Sequence, residues 1–308
     1  MKLINDKTIR ETVELFLEEY INKDKVNIDI SNSYISEFEE LILEGRKDSN
    51  EIIKNKLESE LSITYLYIIE IAVLSLAFNQ DKEGFFSEIW NRINIREPNH
   101  TFESIYTNIT NHALSVVLLV ESGLDTSARS LLRVLIELTW ISILTLADKE
   151  KLKIYQKTTD KDIEKTAWYN HFKPKKLSDG IMKLEKTLGI DDEEFLKYLD
   201  ETRSEMYSFL SKYSHSSYTA VSIGAYTTSF SDEERIDSSL LGKESSTSIS
   251  TITQLNEVLF YLSVMIEAIF TKIHKFSPPT ENYLWKLYEG IRKGANSSYF
   301  YYLKKQEN

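Results

Sequence analysis

The chain has no cysteine in its 308 residues, and only 9 glycines and 4 prolines. Without thiols there is no disulfide, no thiolate metal site and no cysteine nucleophile, and an intracellular setting is favoured. So few glycines and prolines leave little material for tight turns. That argues against an all-β or α/β fold and for long helices joined by short polar loops. Glycine is also too sparse for a phosphate loop: neither the Walker pattern nor the dinucleotide fingerprint can be written with these residues, which disfavours an ATPase or a nicotinamide enzyme. The five histidines, His100, His112, His171, His215 and His274, are scattered and form no His-x-x-x-His pair. No metal and no cofactor is therefore expected.

Positive charge is in deficit as well. The net charge of −11 makes the surface as a whole repel nucleic acid, so broad duplex binding is not expected, although a local basic groove stays open. Residues 1–10 mix charges of both signs and lack the apolar run of a signal peptide. The most apolar stretches, 63–78 and 113–147, are interrupted by Glu70 and by Glu121, Asp125, Arg129, Arg133 and Glu137. Neither offers about 20 clean apolar residues, so no membrane span is read and a cytoplasmic location is expected.

What remains is helical periodicity. Amphipathic or apolar helices are predicted over 3–21, 33–44 (closed by Gly45), 49–78, 85–93, 101–122, about 125–147, 192–214 and 249–276, with a short terminal helix through Ile291. Asp125 or Thr126 is the expected cap of the helix at 125–147. The Ser/Thr-rich stretches 216–231 and 238–250 read as loops flanking a short acidic helix. The fold expected is all-α, a multi-helix bundle with its core in 96–276. An N-terminal helical region, 1–95, packs on that core, and 277–308 forms a C-terminal helix and tail.

Within 125–147 the side chains Arg129, Arg133 and Glu137 fall inside an arc of about 80°, while leucine, isoleucine and valine cover most of the rest. Charges on a helix apolar around most of its circumference must be paired or bonded. Arg133 and Glu137 can pair at i and i+4, with Arg129 meeting another carboxylate. Alternatively the two guanidinium groups form an anion site oriented by Glu137. A second constellation ends the helix at 192–214, where Ser211 and His215 share a face if the helix continues that far. His215 reads either as a residue bonding the last carbonyls of its helix or as a general acid/base. A third is the run from Trp168 to Lys176, whose aromatics and lysines alternate as in single-strand binders or in an anchored, solvated loop.

Two segments, 123–137 and 207–215, resemble bacterial HEPN-like helical proteins: a small residue, Arg129 or Arg133 and Glu137 on one helix, then Ser211 and His215 at the end of a later one. The resemblance covers about residues 100–275. It implies a helical bundle, frequently dimeric, of the kind found in toxin–antitoxin and antiphage systems, many of them metal-independent ribonucleases using an arginine a few residues before a histidine. Here the nearest upstream arginine is Arg203, so any arginine serving His215 would come from Arg129 or Arg133. Two functions follow as expectations. One is an RNA-cleaving effector with His215 as acid/base, Arg129 and Arg133 stabilising phosphate, Glu137 orienting them and Ser211 beside the histidine. The other is a non-catalytic sensor or assembly module with a buried Arg–Glu–His network. The expected partners are RNA or another protein of the same system, a second copy of the chain, and no membrane.

Overall fold

Helix boundaries fall where local chemistry dictates them. The computed structural model describes residues 7–23, 34–80, 98–157, 161–215, 217–228, 230, 236–239, 242–276 and 282–306. In chain order these form α1 (Lys7–Lys23), α2 (Tyr34–Lys56), α3 (Glu58–Gln80), α4 (Pro98–Glu121), α5 (Asp125–Ala147), α6 (Lys149–Gln156) and α7 (Lys161–Ala167). There follow α8 (Pro174–Thr187), α9 (Glu193–Ser214), α10 (Tyr218–Ala225), β1 (Tyr226–Thr228), β2 (Ile236–Ser238), α11 (Thr247–Ala268) and α12 (Tyr283–Gln306). Wide π-type turns extend α7 over Trp168–Phe172 and α11 over Ile269–Ile273. The architecture is the all-α multi-helix bundle expected.

Pro98 and Pro174 open α4 and α8, where a missing N–H costs no helical bond. Asp148 caps α6 by accepting from the backbone N–H of Glu150 (2.8 Å) and Lys151 (3.3 Å), and Asp192 caps α9 through Phe195 N–H (3.0 Å). Gly123 turns the chain between α4 and α5 at φ +70°, and a Cβ there would lie 2.3 Å from the backbone nitrogen of Lys243. Only glycine fits both demands.

Several boundaries differ from the sequence expectation. Gly45 does not close a helix but lies inside α2, where it has open space around it. The predicted helix over 49–78 is divided at Leu57. Helical bonding continues through the division, from Leu57 N–H to Ile53 (2.9 Å) and from Leu61 N–H to Leu57 (2.8 Å). Asp125 is not a cap: Leu124 occupies that position without a side-chain bond, and Asp125 lies in the first turn. The loop expected over 216–231 contains α10, capped by Ser217, and a strand paired antiparallel with β2. Serine and threonine content hid an apolar helix behind a good cap. The terminal helix runs to Gln306 rather than ending near Ile291. The predicted helix at 85–93 and the acidic helix near 232–235 lie outside the described residues.

α3, α4, α5, α11 and α12 share one core. At its centre Phe78 stacks on Tyr106 (ring centroids 5.5 Å apart) and meets Phe102 and Trp285, which in turn contacts Phe276 and Tyr288. Among the described residues three helical segments, Glu58–Gln80, Asp125–Ala147 and Thr247–Ile273, are long and apolar enough to cross a membrane by length and composition. The sequence reading, which counted uninterrupted apolar residues, found none. In the bundle 67%, 61% and 56% of their most apolar windows are buried, so most of that surface meets protein.

One carboxyl lies deep in this core. Glu70 is 1% exposed, accepts from Ser263 Oγ at Oε1 (2.7 Å), and its Oε2 has no partner among the described residues. Burial pushes its pKa from 4.5 up to about 7, opposed by the Ser263 bond and by Arg292. Raising the pH from about 4.5 to about 7 ionises the unfolded chain's Glu70 while the folded one keeps its proton. Stability therefore falls across that window, by on the order of 3 kcal/mol, and this group adds no further loss above it. Glu70→Gln should flatten this slope. In urea melts the variant should gain on the parent at pH 8 and not at pH 5; an equal gain at both would show that Glu70 does not titrate there.

Candidate functional site

Arg129 is 2% exposed, yet its guanidinium is densely bonded. Its Nε donates to Thr251 Oγ1 (3.0 Å) and lies 3.0 Å from Asp125 Oδ2. One terminal nitrogen donates to the Tyr213 hydroxyl (2.5 Å), the other to Thr247 O (2.9 Å) and Ser250 Oγ (2.8 Å). Thr247 and Thr251 hydroxyls donate in turn to the two oxygens of Asp125, at 2.8 and 2.6 Å. The guanidinium also sits against the rings of Tyr213 and Phe209, 4.9 and 5.2 Å from their centroids. The first turns of α5 and α11 and the last turns of α9 are thus tied at one cation. The partner that burial demanded is Asp125, one helical turn upstream.

One turn further along α5 the stripe is wetter. Arg133 donates through Nη2 (2.8 Å) and Nε (3.2 Å) to the Tyr207 hydroxyl, which donates to Glu137 Oε1 (2.6 Å). Arg133 and Glu137 also pair directly at 3.2 Å, with side chains 22% and 17% exposed. The Arg133 guanidinium lies over the Tyr207 ring, which packs on Trp140. The Tyr207 phenol is held above its ordinary pKa, by burial first and by its bond to Glu137 second. Tyr207 lay within the segment quoted for the resemblance but carried no role there. Its position one face of α9 away from the stripe was the signal that a sequence alone does not align.

The other two predicted residues do not join these groups. Ser211 Oγ donates to the carbonyl of Tyr207 (2.8 Å), a bond within its own helix. α9 ends at Ser214, so His215 is its C-cap: its backbone N–H bonds to Ser211 O, and its side chain is exposed. His215 stands eight positions beyond Tyr207, about 12 Å along the helix axis. No hydrogen bond or ion pair links its ring to Arg129, Arg133 or Glu137. The structure brings together Arg133 and Glu137 and seats Arg129 one turn away, and it gives Ser211 and His215 no hydrogen bond or ion pair to any of the three.

A second buried ion cluster was not expected. Glu185 of α8, fully buried, receives Arg203 of α9 (2.6 and 3.2 Å) and the Tyr261 hydroxyl of α11 (2.7 Å). Burial first, and Glu185 second, hold Tyr261 well above its ordinary pKa. Arg203, the arginine nearest upstream of His215, is therefore committed elsewhere. In the third constellation Phe172 is buried while Trp168 and Tyr169 are 37% and 58% exposed. Among the described residues no group of three or more His, Asp or Glu side chains is placed to hold a metal ion.

These burials separate two carboxylates of the same spacing. Asp125→Ala removes the countercharge of a sealed arginine and should cost about 3–5 kcal/mol. Glu137→Ala exposes a half-wet arginine that keeps its tyrosine and should cost only about 1 kcal/mol. Thermal or urea melts of the two variants check this, with Asp125→Ala expected to melt well below Glu137→Ala.

A family of unknown function (DUF5677) matches residues 101–206, about a third of the chain. The match takes in Arg129, Arg133, Glu137 and Arg203 and ends one residue before Tyr207, so Ser211 and His215 lie beyond it. No curated protein and no solved structure matches the chain.

Proposed function

We propose that this chain is a non-catalytic helical sensor or assembly module, cytoplasmic, in a bacterial defence or toxin system of the HEPN-like kind that its two segments resemble. The observation that carries the reading is the commitment of the charged stripe to the fold. Arg129 spends its donors on Asp125, Tyr213, Thr247, Ser250 and Thr251, and Arg133 and Glu137 close on Tyr207. An arginine satisfied this fully has little left to offer a developing phosphate charge.

Assembly has a surface to use. Beyond the stripe, α10 and the hairpin expose Tyr218 (88%), Val221 (54%), Tyr226 (62%) and Ile236 (69%). Tyr218 and Val221 are i and i+3 on one helix face. In the strand pair Thr228 lies opposite Ile236, so Ile236 and Tyr226 point to one side while Thr227 is buried on the other. Large apolar side chains gathered on a surface mark a contact site, and a second copy of the chain is the partner proposed.

The competing reading, a metal-independent ribonuclease, draws on one observation: His215 presents an exposed imidazole at a helix end. One experiment separates the two. Purified protein, incubated with single-stranded RNA in excess chelator, should show no cleavage, and His215→Ala should match the parent in thermal midpoint and in effect on cell growth. Sedimentation should show a concentration-dependent dimer that weakens about tenfold or more in Tyr226→Ser/Ile236→Ser. Chelator-resistant cleavage that disappears in His215→Ala would overturn the module reading.

A further inference from the structure

At the far end of α5 from the stripe, a cleft of about 890 Å³ opens between α5, α6, α8 and the turn following α11. We propose that this cleft binds a phosphorylated small molecule of nucleotide size. The proposal goes beyond the module reading and does not depend on it, because the cleft shares no residue with the stripe, His215 or the hairpin.

Charge is the first argument. Residues 149–187 hold 11 lysines against 6 acidic residues, so this stretch is net +5 in a chain whose remainder is −16. Four of those lysines, Lys149, Lys151, Lys176 and Lys183, line the cleft. Three carboxylates share the lining, so its net charge is +1 (four lysines against three): Asp148 caps α6, Glu150 pairs with Lys153 (2.7 Å), and Asp179 stands on α8. Among the described residues Lys176 and Lys183 make no ion pair. Lysine ammonium groups that close no direct ion pair beside a concave site attract an anion, and they serve phosphate as point charges.

Two histidines lie beside these lysines. His171, whose Nδ1 is 3.4 Å from Lys151 Nζ, is held below its ordinary pKa by partial burial and then by Lys151 and Lys176. His274 lines the cleft, bonds through Nε2 to Leu146 O (2.8 Å), and is likewise lowered, by burial first and by Lys149 as well. In both histidines burial is the larger cause and the lysines add to it, and a bound anion would offset the lysine share.

Size and surroundings set the rest of the ligand. The volume lies in the range of roughly 300–1,000 Å³ typical of small-molecule sites. Leu144 and Leu184 give it an apolar wall, and the turn that supplies Asn170 also presents Trp168 and Tyr169 to solvent. That wall suits a ligand that carries an uncharged, partly apolar group beside its phosphate. A long nucleic acid would have to run past the acidic remainder of the surface, whereas a small molecule meets only the local field.

The test uses the full-length protein with inorganic pyrophosphate, adenosine triphosphate, adenosine and a 20-nucleotide single-stranded RNA, all without divalent metal. Calorimetry should show binding of adenosine triphosphate and, more weakly, of pyrophosphate. Both ligands should raise the His171 and His274 imidazole pKa values by several tenths of a unit or more, read from proton–carbon spectra across pH. Lys176→Gln/Lys183→Gln, at two exposed positions, should bind both ligands about tenfold or more weakly with an unchanged melting midpoint. Three results would overturn the proposal: no response of either histidine to millimolar phosphate ligands, adenosine binding as tightly as its triphosphate, or binding of the oligonucleotide alone. Phosphate-ligand binding that survives the double substitution would equally remove the site from this cleft.

Discussion

One guanidinium governs how the upper part of the bundle is assembled. Arg129 sits where α5 and α11 begin and α9 ends, three termini whose backbone groups cannot all be satisfied by their own helices. A single cation with a fork of donors can bridge a carboxylate, a carbonyl and three hydroxyls at once, which no apolar side chain of the same volume could do. Its burial would be prohibitive alone, so Asp125, Thr247, Thr251 and Tyr213 are bound to it by necessity. That explains why Asp125 is drawn into the helix rather than left as its cap. It also explains why α11 starts with hydroxyl residues that read as a loop.

The same device recurs at Glu185. There the buried charge is a carboxylate, and the bridging groups are Arg203 and Tyr261 from α9 and α11. α9 is polar, with Leu196, Leu210 and Tyr213 its buried residues, and hydrophobic contact alone would fix it weakly. Two charge clusters, one at its middle through Arg203 and one at its C-terminal end through Tyr213, set its register against α5, α8 and α11. Stability and specificity are divided here: the aromatic core of α3, α4 and α12 supplies buried area, while the ion clusters define which polar helix docks where. Arg129, which reads on its own helix as a phosphate binder, here ties α9 and α11 to α5.

Legibility in the sequence followed the same division. The all-α class, the antiparallel α4–α5 hairpin and the pairing of Arg133 with Glu137 were all readable, because periodicity, a glycine turn and i, i+4 spacing are local signals. The commitment of Arg129 was half readable. Burial required a countercharge, but Tyr213, Thr247 and Thr251 lie 84 to 122 residues away, where spacing carries no information. Tyr207 was missed for the same reason: a tyrosine on a polar helix face has no signature until the facing helix is in place. His215 was misleading in the opposite sense. Its sequence neighbours suggested a shared face with Ser211, but the helix stops at Ser214 and the serine bonds to its own backbone. Helix boundaries are among the least readable features of a sequence.

Charge distribution shows what a whole-chain average conceals. A net charge of −11 argues against polyanion binding only if charge is spread evenly, and here it is not. The stretch from α6 through α8 is basic because its lysines stand on short amphipathic helices whose apolar sides are held by Leu152, Phe172, Leu177 and Ile181, all buried. The long lysine side chains are consequently forced outward, around the concavity left where the short helices meet the end of α5. Field and cavity arise from the same fact, that this part of the chain is built from short helices in an assembly of long ones. Long helices pack along their length and leave little space between them, whereas short ones end before the gap is closed. A chain of this composition therefore places a basic concavity where its helices are shortest, at the opposite end of α5 from the arginines that first draw the eye.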